Sequence, residues 1–152
     1  MIWSRRFGRR RVTLSCVKFA ETAGMSSKLK DGHHILFWDF DKISIEAVFM
    51  NLKETQKMFN LSSIYILKSN PENGYHAICL SRHTWLDAIH IITSCMYIDE
   101  EWLRSCIVRR YFMLRIGQKH GSYPKPFMLI ESKKSEVPIS EIVNFDRYEI
   151  FA

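Results

Sequence analysis

Two carboxylates, Asp39 and Asp41, stand one residue apart at the end of an apolar run, His-Ile-Leu-Phe-Trp-Asp-Phe-Asp, at residues 34–41. Because side chains alternate across a β-strand, both carboxylates would leave the same face of a sheet at its rim. Mg²⁺ is usually held by one or two carboxylates together with phosphate oxygens. The spacing therefore predicts a site for Mg²⁺ or Mn²⁺ at the end of this strand.

The elements that would position this site follow from the period of the apolar residues. Short apolar runs predict strands, apolar stripes at helical spacing predict helices, and the pair Asn73-Gly74 predicts a tight hairpin. The predicted strands are 34–40, 63–67, 75–80, 111–116 and 127–130. The predicted helices are 44–59, 83–96 and 99–109. The C-terminal residues are predicted to form a short helix at 139–143 and an edge strand at 148–151.

This order predicts an α+β fold of the ferredoxin-like or RRM-like type, a βαββαβ palm with an antiparallel sheet, helices on one face and additional C-terminal strands. A right-handed crossover makes the first two strands parallel and leaves the third between them. His76, early in the third strand, is then expected beside Asp39. The fourth strand is expected at the other edge of the first, where it would present Arg115.

The alternation of side chains predicts which face of the first strand is open. Leu36, Trp38 and Phe40 would pack under the helices, and Ile35, Phe37 and the two carboxylates would lie on the open face. The candidate site on that face is Asp39, Asp41, His76 and Arg115, with Ser69 at the end of the second strand and Lys119 and His120 in a later loop. Cationic side chains near such a metal would offset the charge of a triphosphate.

Length and composition indicate one domain. The chain has 152 residues and a net charge of +6, and five arginines lie in the first twelve residues. Residues 1–31 are therefore expected to be a basic, disordered tail, and residues 32–152 a single domain. The four cysteines have no zinc-site spacing, which favours reduced thiols in a cytoplasmic, intracellular protein. No apolar run approaches the ~20 residues of a membrane span, so no membrane partner is expected.

An apolar strand ends in Asp-x-Asp and is followed by Ser69 and by a strand that begins with Gly-Tyr-His at residues 74–76. This combination resembles the motifs of the archaeo-eukaryotic primase superfamily. This superfamily includes the small primase subunit and the primase-polymerases of plasmids and viruses. The resemblance covers residues 34–120. It implies that Asp39 and Asp41 are catalytic metal ligands and that Ser69 and His76 bind the nucleotide. Leu114-Arg115-Ile116 and Lys119 are similar to a basic, nucleotide-binding strand and loop of small replicon primases.

The resemblance implies a DNA-directed primase or polymerase that uses nucleoside triphosphates, two divalent metal ions (Mg²⁺ or Mn²⁺) and a DNA template, with a replicative helicase or another replication subunit as a partner. One feature of the superfamily is missing. Its third motif supplies another carboxylate beside the first strand, where this chain has Arg115. Asp99, Glu100 and Glu131 are the nearest substitutes in sequence, and none is expected at the site. Either the third ligand comes from elsewhere, or the protein is an inactive member.

Three other interpretations stay open. A catalytically inactive nucleic-acid-binding or structural ferredoxin-like module would need exposed aromatic side chains, for which Phe37 and Tyr111 are the candidates. A rolling-circle replication endonuclease would need paired histidines on a strand, and His76 has no such neighbour. A phosphatase with an Asp-x-Asp strand would need Gly-Thr after the second aspartate, where this chain has Lys42-Ile43.

Overall fold

The computed structural model describes residues 2–7, 10–15, 19–118, 123–143 and 146–151. Within these residues the protein is an α+β structure of antiparallel sheets and three α-helices, as the sequence predicts. The elements are β1 (Ile2–Phe7), β2 (Arg10–Ser15), β3 (Phe19–Ser26), β4 (His34–Phe40), α1 (Ile45–Phe59), β5 (Ile64–Asn70), β6 (Gly74–His83), α2 (Trp85–Thr93), α3 (Glu100–Arg109), β7 (Met113–Arg115), β8 (Lys125–Ile130), a 3₁₀ turn (Ile139–Glu141) and β9 (Asp146–Phe151).

The central sheet has four strands in the order β4-β6-β5-β8, and every neighbouring pair is antiparallel. β6 therefore lies between β4 and β5, as predicted from the crossover through α1. The turn that joins β5 to β6 spans residues 71–73, where Asn73 adopts a left-handed conformation with φ of 57°. Asparagine tolerates this conformation better than most residues, so the predicted hairpin forms.

The predicted position of the fourth strand beside the first is wrong. β7 pairs with β3 instead, with Met25 opposite Leu114. The reason lies at Ser27, whose backbone N–H donates to the carbonyl of Phe112 and whose carbonyl accepts from the N–H of Ile35. Ser27 thus occupies the place beside the start of β4 that the sequence argument gave to the fourth strand. The described strands do not reproduce the complete ferredoxin-like order.

Each helix begins at a capping side chain. Ser44, Thr84 and Asp99 accept hydrogen bonds from backbone N–H groups in the first turns of α1, α2 and α3. α1 ends at Phe59, and its C-cap residue Asn60 adopts the left-handed conformation that is common after a helix. α2 is shorter than predicted and ends at Thr93. Among the described residues, no helix is both long enough and apolar enough to cross a membrane.

β4 forms the centre of the hydrophobic core, and both of its faces are covered. Ile35 and Phe37 are as fully buried as Leu36, Trp38 and Phe40, with 0% exposure. The expectation of an open face on this strand is therefore wrong over most of its length, and only Asp39 is partly exposed within it. Phe37 cannot serve as a stacking platform for a base.

Several residues that precede residue 32 are buried. Ser26, Ser27 and Leu29 are buried, and Leu29 belongs to the hydrophobic core. β3 pairs with both β7 and β9, and β1 pairs with β2 in a separate two-stranded sheet. Strands therefore occupy parts of residues 1–31, which the sequence predicts as a disordered tail. Leu29 therefore packs with core residues of the strands that follow it.

Candidate functional site

The predicted neighbours Asp39 and His76 face each other across β4 and β6. They are direct partners in the strand register, so their side chains leave the same face of the sheet. The Nε2 atom of His76 lies 3.5 Å from the Oδ1 atom of Asp39, with side-chain exposures of 5% and 22%. A carboxylate with one partly exposed side can accept a ligand there, while the buried imidazole is held in place by the strand.

Asp41 lies one residue beyond the end of β4 and is exposed to solvent. Its Oδ1 atom accepts a hydrogen bond of 3.2 Å from the side-chain amide of Asn70, the last residue of β5. The Oδ1 atom of the same asparagine accepts from the backbone N–H of Gly74 at 3.0 Å. Asn70 therefore links Asp41 to the β5–β6 turn. The sequence argument missed this residue, although the Asn-Pro turn composition indicated its position.

Gly74 lies in close contact with the side chain of Asn70. A Cβ atom built on Gly74 would lie 2.2 Å from the Nδ2 atom of Asn70, far inside the contact distance of real Cβ atoms. The glycine therefore allows the asparagine side chain to lie against the turn and reach Asp41. The first residue of the Gly-Tyr-His sequence therefore has a structural role, because it leaves room for the Asn70 side chain at the turn.

Arg115 reaches the same end of the sheet from β7. Its Nη2 atom donates to the carbonyl of Ser69 at 2.8 Å, and its Nη1 atom donates to the carbonyl of Gly117 at 2.7 Å. Ser69 is buried, and it lies two residues after Leu67, the register partner of His76. The structure thus brings Arg115 to β5 through β3–β7 pairing, by a route other than the predicted one. Lys119 and His120 lie outside the described residues.

Asp99 is closer to the strand end than the sequence argument allowed. Its backbone N–H donates to the carbonyl of Asp39 at 2.9 Å. Its carboxylate accepts from the backbone N–H of Trp102 at 2.7 Å and so caps α3. The main chain of Asp99 therefore lies beside the end of β4, while its carboxylate caps α3. Glu100 pairs with Arg104 on the helix surface.

The carboxylate oxygens of Asp39 and Asp41 are the kind of ligand that Mg²⁺ prefers. Among the described residues they do not belong to a complete set of protein ligands for a metal ion. Within the described ranges, no group of three histidine, cysteine or acidic side chains is arranged to hold a metal ion. Mg²⁺ commonly keeps several waters and takes substrate phosphate oxygens as ligands, so two carboxylates can suffice when a nucleotide is bound. Asp39 and Asp41 are the residues that would contribute these ligands.

The described cysteines take no part in such a site. Cys79, Cys95 and Cys106 are free and buried. Burial raises the pKa of Cys95 and of Cys106 to about 11, and it also raises the pKa of Cys79. Thiols with raised pKa values are weak nucleophiles and weak metal ligands at neutral pH, so these cysteines serve as small core residues.

Comparison of the chain with protein-family models, with curated proteins and with solved structures finds no match. The functional argument therefore depends on the geometry of the rim formed by Asp39, Asp41, Asn70 and His76.

Proposed function

We propose that this rim binds a nucleoside triphosphate with Mg²⁺ or Mn²⁺ and that the protein is a nucleotidyltransferase of the primase-polymerase kind. The observation that carries the proposal is the pairing of Asp39 with His76 on adjacent antiparallel strands, with Asp41 at the rim beyond them. Two carboxylates would be available to the metal, and an imidazole would be available to the phosphates beside it.

The fold part of the proposal concerns the unit β4-α1-β5-β6. Its strand order, with β6 between two parallel strands, corresponds to the first half of a ferredoxin-like palm. In this proposal β7 replaces the usual fourth strand by approaching from the β3 side. Arg115 then contributes its charge at the end of β5, where its guanidinium already contacts Ser69.

The reaction would be the attack of a 3′-hydroxyl on the α-phosphorus of the bound nucleotide, with release of pyrophosphate. Bound divalent metal would supply charge stabilisation for the attacking and leaving oxygens. The chain's own part is to hold the nucleotide: the Asp39 and Asp41 oxygens would set the cation position, and His76 and Arg115 would bind phosphate oxygens. Lys119 is proposed as a further phosphate ligand from the loop after β7.

The partners and the location proposed here follow from the same function. A DNA template and nucleoside triphosphates would be the substrates, and a replicative helicase stays a prediction from the resemblance. An intracellular, reducing location is supported by the three free, buried cysteines.

The proposal is tested by a primer-synthesis assay with Mn²⁺ and by titration of a fluorescent nucleoside triphosphate. We expect Asp39→Ala/Asp41→Ala to lose activity by a factor of at least about 100, in line with the removal of transition-state charge stabilisation. Glu54→Ala/Glu131→Ala also removes two carboxylates, both exposed and away from this end of the sheet, and should keep full activity. Equal activity in the wild-type protein and in the Asp39/Asp41 variant would refute the enzymatic proposal.

Nucleotide binding separates the two remaining interpretations. If the wild-type protein binds the triphosphate in a metal-dependent way but makes no product, then the rim is a binding site that lacks a third carboxylate. If binding is also absent, the protein is a non-enzymatic module. Of the aromatic residues proposed for such a module, Phe37 is buried and Tyr111 is covered on one side by the Lys28 ammonium, 4.3 Å from the ring centroid.

A further inference from the structure

A cavity of about 370 Å³ lies where β5 ends and β8 begins. Its lining includes Lys68, Asn70, Tyr123, Lys125 and Phe127. The size is within the range of pockets that hold a small organic ligand. Two cations and two aromatic rings around one cavity are the side chains that a nucleotide unit of a single strand would contact.

The two lysines lie directly opposite each other. Lys68 and Lys125 are register partners in the antiparallel pair β5–β8. Like charges at such positions repel and destabilise the pair. Among the described ion pairs, none includes either lysine. An anion bound between the two ammonium groups would remove this repulsion, so the sheet edge gains stability when a phosphate occupies the cavity.

The two aromatic side chains are exposed although they adjoin the sheet. Tyr123 is 53% exposed and Phe127 is 49% exposed. The ring of Phe127 lies 5.9 Å from the ring of Tyr75, which is 3% exposed and belongs to the core. Phe127 therefore contacts the core through Tyr75 while about half of its surface stays exposed. A rigid exposed ring offers a stacking surface at a small cost in side-chain entropy.

We infer that this cavity binds single-stranded nucleic acid, with a backbone phosphate between Lys68 and Lys125 and a base against Phe127 or Tyr123. The inference goes beyond the proposed function, because it requires neither the metal nor the Asp39 carboxylate. Asn70 connects the two regions, since it lines the cavity and donates to Asp41. Lys68 pairs with Tyr75 and Asp39 pairs with His76, so the cavity and the Asp39 carboxylate lie on opposite faces of the sheet and meet at Asn70.

The test is fluorescence anisotropy with a labelled oligothymidylate of about 12 nucleotides, a length within the site sizes of single-strand binding proteins. The full chain is used throughout, so the arginine-rich N-terminal residues contribute equally to every variant. Phe127→Leu keeps an apolar contact with Tyr75 but removes the flat ring. We expect its affinity to fall at least about fivefold, because stacking of one base is worth about 1–3 kcal/mol.

The charge variant has a different readout. Lys68→Gln/Lys125→Gln should reduce the slope of log affinity against log salt by about 0.7, because the two lysines share one phosphate and each phosphate contact on a single strand contributes about 0.7. Lys57→Gln/Lys133→Gln removes the same charge from exposed positions outside the cavity lining and should leave the slope nearly unchanged. Thermal unfolding of each variant checks that the fold is intact.

Three outcomes would overturn the inference. The first is that the cavity variants and the control variant have equal salt slopes and equal oligonucleotide affinities. The second is that a polyglutamate peptide binds as tightly as the oligonucleotide and that its binding does not depend on Phe127. The third is that the wild-type protein forms a dimer through β8 that Phe127→Leu dissociates. The Asp39→Ala/Asp41→Ala variant should keep its oligonucleotide affinity, and Phe127→Leu should keep its metal-dependent nucleotide affinity. Failure of the nucleotidyltransferase proposal would therefore leave the single-strand site standing, and the reverse also holds.

Discussion

At the scale of single residues, Asn70 is the side chain that links the second carboxylate of the rim to the β5–β6 turn. It connects the Asp41 carboxylate to the backbone of Gly74. The sequence predicted both aspartates and the histidine, because strand alternation and the crossover rule depend only on order. It could not predict Asn70, because a turn asparagine has several equivalent backbone partners.

Gly74→Ala should lower the free energy of unfolding by about 1 kcal/mol, because the Asn70 side chain must move and lose its hydrogen bonds. The new methyl group would displace the Asn70 side chain and with it the hydrogen bond to Asp41. Urea denaturation measures the loss. In an Asn70→Ala background the methyl group has room, so the same substitution should cost much less there. A cost that is equal in both backgrounds would show that the methyl group does not act through Asn70.

At the scale of elements, the sequence predicted best where local signals were complete. α1 has an apolar stripe, a serine cap and an asparagine stop, and its observed bounds agree with the prediction to within one residue. β7 kept its approximate position in the chain but not its partner. Its partner β3 has no regular apolar period, so the sequence argument assigned that stretch to a tail. Strand pairing over a long separation cannot be read from such a segment.

Ser27 joins the three elements at this junction. Its hydroxyl accepts from the backbone N–H of Phe112 at 3.0 Å and shares a 2.9 Å hydrogen bond with Nδ1 of His34. Burial, assisted by the nearby Lys28 ammonium, lowers the pKa of His34, so the neutral ring is favoured there. The serine therefore satisfies two buried polar groups, one on β4 and one just before β7.

Ser27→Ala should lower the free energy of unfolding by about 1–3 kcal/mol, because two buried polar groups lose their partner. The rate of hydrogen exchange at the Phe112 amide should rise by the factor that corresponds to this loss of free energy. Ser140→Ala, at an exposed position in the 3₁₀ turn, is the matched control and should change little. If Ser27→Ala behaved like this control, residues 24–29 would not be a structural part of the domain.

At the scale of the whole molecule, the segment after β8 returns across the sheet to the N-terminal side. The backbone N–H of Val137 donates to the carbonyl of Leu80, and the N–H of Val143 donates to the carbonyl of Lys28. Arg82 forms ion pairs with Asp31 and Glu141, one from each end of the domain. Two kinds of interaction therefore hold this segment. The first is apolar burial together with backbone hydrogen bonds, and the second is the exposed salt bridges of Arg82.

The apolar contribution should be the larger of the two. Val137 is 8% exposed and belongs to the core, so Val137→Ala should cost about 1.5 kcal/mol at about 0.8 kcal/mol for each buried methylene equivalent. The Arg82 side chain is 39% exposed, and pairs in such a position are usually worth less than about 1 kcal/mol. We therefore expect Arg82→Gln to lower the free energy of unfolding by less than Val137→Ala does.

Salt separates these contributions in urea denaturation, because added ions screen exposed charges and leave apolar burial intact. The effect of Arg82→Gln should shrink when NaCl is raised from about 0.05 to about 0.5 M, since the Debye length then falls severalfold. The effect of Val137→Ala should stay the same or grow slightly. A larger, salt-insensitive loss for Arg82→Gln would mean that its two carboxylate partners hold the returning segment. The ends of the domain would then be joined mainly by charge.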